Sequence, residues 1–389
     1  MSYISSNANR WYCAREDTYG TVAAITAANR IPAVTMKAQH QRDKSQRKDK
    51  TGTRTFVGLP NGIRRHTTFD ATSYIRDWAD NTNLPPQGPL VEAALGASGE
   101  LWPGATLDAG STASTIRFVA PHLLTPGQAI VAGGEIRFVA AVVSPQVVIL
   151  NAPFSLPPAA GLPMTPTATY GLAATLPSVS LFDYWDPATA VQRVLCGAAV
   201  DRMTVSMNGD FHELQFQGMA QDLVDSASFA SGQGGLTLFP TEPAAGDINY
   251  APVPGNLGQV WLGVIPNQIL TVTQATIEIR NNLNLRHKEY GTVLPRAIAP
   301  GAREVLLTLE FFSQDDDATT ALYQAARQHS PVSLMFQLGQ SGGQLAGVWL
   351  KSMIPDVPQF DDSDTRLRWQ FRDTPAQGTA EDEMVVAFG

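Results

Sequence analysis

Gly339-Gln340-Ser341-Gly342-Gly343 has the G-x-S-x-G spacing that presents a nucleophilic serine on a sharp turn. That chemistry needs a strand before the serine and a helix after it. Here QLAGVWLKSMI follows, which is a strand pattern, so Ser341 is expected in a hairpin turn. Ser341 is the one handle for an enzyme reading. The six histidines, His40, His66, His122, His212, His287 and His329, show no HExxH or other ligand spacing. Asp315, Asp316 and Asp317 follow Ser313, where acids favour a helix N-terminus. Asp361, Asp362 and Asp364 lack the D-x-D-x-D-G loop and its distal glutamate, so they are expected at a polar hairpin tip. Cys13 and Cys196 are too far apart for a zinc or redox motif and read as reduced structural thiols. No catalytic residue, metal or cofactor is expected.

The elements carrying these residues recur. Val34, Met36 and Ala38 alternate in IPAVTMKAQH, Phe69 and Ala71 alternate after a long polar excursion, and PLVEAALGA (89–97) then gives a helix stopped at Gly96. In the second half Ala275, Ile277 and Ile279 alternate, then Leu307, Leu309 and Phe311, and a helix follows over 315–328. PSVSLFDYWD (177–186) parallels SPVSLMFQLG (330–339), LCGAAVD (195–201) parallels LAGVWLK (345–351), and FHELQFQ (211–217) parallels TRLRWQF (365–371). Five elements in one order imply a duplicated module. The expected division is 1–97 with 177–230 as the first module, 98–176 as an inserted small β domain with a Pro-rich linker, and 231–389 as the second module. SFASGQGG (228–235) reads as the hinge between the modules, and the insert is expected to be dispensable for ring closure, because no repeated strand runs through it.

Composition agrees with a turn-dense β protein: 44% of residues are hydrophobic, only 16% are charged, and the 389 residues include 32 Gly and 27 Pro. A net charge of -8 argues against a nucleic-acid coat, which needs an excess of Lys and Arg. The N-terminus has no apolar core behind a basic start, and no stretch approaches a membrane-spanning length. Charge is nevertheless polarised. Residues 37–68 carry Lys37, Arg42, Lys44, Arg47, Lys48, Lys50, Arg54, Arg64 and Arg65 against Asp43 and Asp49, a local +7, whereas 310–389 hold 12 acidic and 5 basic residues. A solvated loop, DNA contact and docking on an acidic surface of another subunit are the readings of that basic stretch.

Two tandem β modules with a long loop between paired strands and a helix after them resemble the tail tube proteins of long-tailed bacteriophages. YGTVAA (19–24), residues 31–75, PLVEAALGA and GAAVDRMTVSMNGDFHELQFQG (197–218) carry the resemblance, which covers roughly 15–97 and 177–389. It implies a mainly β fold of two β-sandwich or barrel-like modules, each with a short helix. It implies a structural virion protein, assembled in the host bacterial cytoplasm, whose stacked rings surround a lumen for DNA. Rings of this family are typically hexameric, so a two-module chain is expected to form trimers with pseudo-sixfold symmetry. The implied partners are further copies and the tape measure, distal tail and terminator proteins, with no membrane and only transient, non-specific passage of DNA. A distal tail or baseplate adaptor, or a terminator ring, is the alternative within the same fold; carbohydrate binding by the insert around Trp102 is a separate one. A cationic lumen would hold DNA back, so Arg42, Lys44, Arg47, Lys48 and Lys50 are expected to meet an adjacent ring, with Asp361, Asp362 and Asp364 as candidate partners.

Overall fold

The computed structural model describes residues 3–43, 49–55, 58, 63–78, 80, 82–244, 250–263 and 267–389. The first half opens with β1 (Asn9–Arg15), β2 (Arg30–Ile31), β3 (Ala33–Arg42), β4 (Arg65–Tyr74) and α1 (Gly88–Leu95). In β4, Thr67, Phe69, Ala71 and Ser73 are buried and the residues between them are not, the period of a strand with one face on the core. Pro89 stands in the first turn of α1, and Gly96 ends it at φ +103°, where a Cβ would be strained.

Residues 98–176 hold β5 (Glu100–Trp102), β6 (Thr115–Arg117), β7 (Ala129–Ala132), β8 (Glu135–Ser144), β9 (Val147–Leu150) and β10 (Thr167–Tyr170). Strands β6, β9, β8 and β7 form a four-stranded sheet around Phe118, Ile130, Val139 and Val148. The first half resumes with β11 (Val179–Trp185), β12 (Arg193–Met207), β13 (Glu213–Ala220) and β14 (Asp222–Asp225). The second half comprises β15 (Gly258–Leu262), β16 (Asn267–Ile269), β17 (Val272–Arg280), the small pair β18 (Asn284–Leu285) and β19 (Ile298–Ala299), and β20 (Glu304–Phe312). It closes with α2 (Asp317–Gln328), β21 (Val332–Ser341), β22 (Gln344–Met353), β23 (Gln359–Asp361), β24 (Arg368–Pro375) and β25 (Met384–Phe388). The chain is mainly β, with several sheets. Among the described residues no helix is long and apolar enough to cross a membrane.

The two halves share a pairing order. β1 lies between β2 and β11 as β15 lies between β16 and β21; β4 lies between β3 and β13 as β20 lies between β17 and β24; β14 pairs with β12 as β25 pairs with β22. Each β3-type strand carries a bulge at the same place, between Ala33 and Thr35 and between Val272 and Gln274. The long β12 passes between layers: its first part pairs with β11 and β14, and its second with β13 and β17. That last contact joins the halves into one eight-stranded run, β3-β4-β13-β12-β17-β20-β24-β23. One hydrophobic cluster underlies it, including Phe69, Phe216, Met203, Ile277, Leu307 and Phe371.

Two expectations about connections are corrected. The insert is not an appendage. β5 and β10 leave its four-stranded sheet, and β10 pairs with β25, extending a seven-stranded sheet of the second half. Ala129, Val131, Ile136 and Phe138 pack on Met335, Leu345, Trp349, Val385 and Ala387 of that sheet, with Phe138 stacked 5.8 Å from Trp349. Between them Arg137, wholly buried, donates to Gln337 Oε1 at 2.7 Å, Gln259 Oε1 at 2.8 Å and the Pro153 carbonyl at 2.8 Å. Burial lowers its pKa to about 10, against the pull of Glu135, so it stays charged at neutral pH. The apolar alternation of EIRFVA is thus divided between the insert's own core and the second half's outer surface.

The expected hinge also folds back. Val22 N–H donates to the Gly234 carbonyl, Tyr184 Oη to the Pro240 carbonyl and Tyr12 Oη to Glu242, so this segment covers Tyr12, Phe182 and Tyr184.

His212 fixes the turn before β13 to residues 253–257. Its amide donates to the Val253 carbonyl at 2.9 Å and its Nε2 to the Leu257 carbonyl at 2.9 Å. Burial lowers its pKa. The unfolded chain then binds more protons than the folded one below about pH 6.5, so stability is present above that value and falls as pH drops through it. Urea melts at pH 7.5 and 5.5 should show a loss that shrinks by about 1 kcal/mol in His212→Gln; equal pH slopes in both chains would contradict this.

Candidate functional site

The residues whose types could do chemistry stand as follows. Ser341 pairs with Gln344 across the turn between β21 and β22, with a strand on each side. Gly339 sits at φ +89°, and a Cβ there would lie 2.0 Å from the Gln344 carbonyl, so the glycine serves the hairpin. Asp316 caps α2, accepting from the Thr319 amide at 2.7 Å. His122 accepts from the Leu124 amide at 2.8 Å and holds the Ser144 carbonyl at 3.1 Å. Both thiols are buried, and burial raises their pKa. Among the described residues no group of three or more His, Cys, Asp or Glu is placed to hold a metal ion.

What remains is a surface: the outward face of the eight-stranded run. Alternation fixes its composition. With Phe69, Ala71, Leu214, Phe216, Val205, Ile277, Leu307 and Phe371 turned to the core, the other set includes Thr68, Asp70, Thr72, Gln215, Gln217, Thr204, Ser206, Thr276, Glu278, Thr308, Glu310 and Gln370, with Leu306 and Phe312 of β20 as its apolar members. Its charges pair within and across neighbouring strands. Arg202 reaches Glu278 at 3.3 Å, Arg280 pairs with Glu278 and lies 3.9 Å from Glu304, and Arg368 lies 3.7 Å from Glu310. Gln217 donates to Asp70 at 3.0 Å, and Lys37 stands opposite Asp70. Exposed pairs of this kind contribute little to stability. Their effect is on the field: cations and anions cancel locally, leaving a hydroxyl- and amide-rich, nearly neutral face.

The run has two ends and two edges. At one end β3 connects to β4 and β17 to β20, and the start of β4 meets residues 281–303: Arg65 N–H donates to the Val293 carbonyl at 2.9 Å, and His66 lies 5.4 Å from His287. The turns 208–212 and 362–367 close the opposite end. Arg42 and Lys50 are exposed on the loop side; Lys44, Arg47 and Lys48 lie outside the described residues. Asp362 and Asp364 are exposed on the turn side. Asp361 lies in β23, where hydrogen bonds from Ser363, and then Arg368 at 2.5 Å, lower its pKa to about 2. One chain therefore keeps Arg42, where β3 ends, and the acidic turn at opposite ends. The edges are β3 and β23; among the described residues β3 pairs only with β4, and β23 only with β24.

The polar face was not singled out from the sequence, although its signal is the Thr, Gln, Glu and Arg residues at alternate positions of 65–74, 213–220, 272–280 and 304–312. A family model described as phage tail tube protein matches residues 7–387, and the chain belongs to that family. This is a family of structural tail proteins, which makes the chain a virion tail component. A search of curated proteins finds no match.

Proposed function

We propose that this protein is the repeating subunit of a tail tube, that two β modules in each chain let three copies close one ring, and that stacked rings enclose a lumen through which DNA passes. The modules are β1–β4, α1 and β11–β14, and β15–β25 with α2. The observation that carries the reading is the polar face of the eight-stranded run. A duplex sliding past cationic rings would meet a counterion-release attraction worth decades of affinity. A neutral wall of Thr, Gln and Ser with internally paired charges offers no such hold, so this face suits a lumen lining.

Stacking head to tail brings the loop end of one ring to the turn end of the next. Lys50 and the rest of the basic loop then oppose Asp362 and Asp364, which supports these residues as ring-to-ring contacts. Docked insert domains and the 228–242 segment cover the outer sheets, away from the polar face. Tape measure, distal tail and terminator proteins are the proposed heterologous partners, and assembly precedes release from the host cytoplasm.

Electron microscopy of the purified chain tests the reading: long tubes are expected, single rings would indicate a distal tail, baseplate or terminator ring, and monomers would remove it. Native mass spectrometry of released rings should give three chains; six would refute the two-module count.

A further inference from the structure

The contact between β12 and β17 joins two like modules inside one chain, and the chain leaves the same two kinds of strand open at its ends. We infer that β23 of one copy pairs antiparallel with β3 of the next, in a register fixed by the internal contact. The inference rests on the ring reading above.

The register follows from superposing the halves. Placing the bulge after Ala33 on the bulge after Val272 lays Ala38 on Ile277 and Ala71 on Leu309. The observed pair Phe216–Ala71 then falls on the observed pair Phe371–Leu309, and Val205–Leu214 falls on Phe360–Trp369; the one extra residue of β24 lies beyond this stretch, at the bulge between Leu307 and Leu309. β23 is thus the counterpart of the second part of β12, and β3 of β17. In the internal contact Val205 opposes Ile277, Thr204 opposes Glu278 and Ser206 opposes Thr276. Carried to the open edges, Phe360 opposes Ala38, Gln359 opposes Gln39 and Asp361 opposes Lys37.

Chemistry that played no part in the superposition agrees with it. Asp361 and Lys37 form an opposite-charge cross-strand pair, the kind that favours a register. Five residues along, Asp201 has Asp356 as its counterpart, and Asn281 has Arg42. Asp201 takes the Asn281 amide on its carbonyl at 2.7 Å and the Leu283 amide on its carboxylate at 2.7 Å. In the proposed register Asp356 meets Arg42, a second opposite-charge pair. Phe360, which lies against Trp369 at 5.3 Å, is 55% exposed in the single chain and becomes covered at this seam. Pro355 and Pro358 remove amide donors along the β23 edge, a device that discourages pairing with the wrong strand. Arg42 and Asp361 are thereby assigned to the seam within a ring, leaving Lys50, Asp362 and Asp364 for contacts between rings.

Cysteines at Gln39 and Gln359 test the register. β3 and β23 stand seven strand spacings apart in one chain, roughly 34 Å, so a bond between these positions must join two chains. Oxidation of assembled Q39C/Q359C chains with diamide should give covalently closed oligomers on a non-reducing gel. T35C/Q359C, displaced by four residues or about 13 Å, should stay monomeric there. Rings that assemble without this cross-link, or that cross-link only through T35C, would overturn the register while leaving the ring reading intact. Chains that never assemble would overturn both. A reconstruction of wild-type rings gives a readout independent of the variants: Phe360 beside Ala38 of the next copy supports the seam, and any other neighbour refutes it.

Discussion

Deleting residues 103–165 and bridging the gap with a short Gly/Ser linker should abolish the soluble, folded chain. The cut retains β5 and β10 but strips the cover from Met335, Leu345, Trp349, Val385 and Ala387. Returning each large apolar side chain to water costs about 1.5–3 kcal/mol, so the sum approaches 10 kcal/mol. That matches the whole stability of an ordinary domain, about 5–15 kcal/mol. Gln337 and Gln259 also lose the guanidinium they bind. The wider cut of 100–175 removes β10 from the edge of β25 as well, so a larger loss is expected from it. A deletion chain that stays soluble and melts cooperatively within a few degrees of wild type would contradict this account of the docking.

Reversing charge at two basic-loop positions, R47E with K48E, should leave folded chains and rings but no tubes. Both residues lie outside the described residues, in the polar stretch of sequence between β3 and β4, and neither belongs to a repeated apolar strand, so folding is expected to survive. An exposed ion pair contributes about 0.2–1 kcal/mol, yet each ring interface repeats the change in three chains and converts attraction to repulsion. The summed effect is on the order of 3–6 kcal/mol per interface, or two to four decades of stacking affinity. Raised salt should weaken wild-type stacking in the same direction. Sedimentation and negative-stain images separate the outcomes; normal tubes from the double variant would remove ring-to-ring docking by this loop.

Local periodicity was legible from the sequence and partner choice was not. Phe69 and Ala71, Ile277 and Ile279, and the helix stopped at Gly96 follow from alternation and capping, which depend on near neighbours. The shared order was visible because VSL and Leu-x-Gly mark the paired strands β11–β12 and β21–β22 in both halves. The join between β12 and β17 left no sequence signal, since any amphipathic strand suits any other until the register is fixed. Arg137 was hidden for the same reason: an arginine inside an apolar run looks solvent-facing until Gln337, two hundred residues away, is brought to it. The neutral polar face emerged only when eight separate alternations were aligned into one surface. Of the charged residues singled out, Arg42, Asp361, Asp362 and Asp364 lie at the edges and ends of that surface, where contacts between copies would be made.

A reconstruction of the assembled chain at a resolution that separates strands tests the central claim most directly. The account predicts three chains per ring, their eight-stranded runs joined edge to edge into one continuous wall, with Thr68, Gln215, Thr276 and Gln370 turned toward the axis. Six chains per ring, or a wall with those side chains facing outward and the insert domains toward the axis, would contradict it.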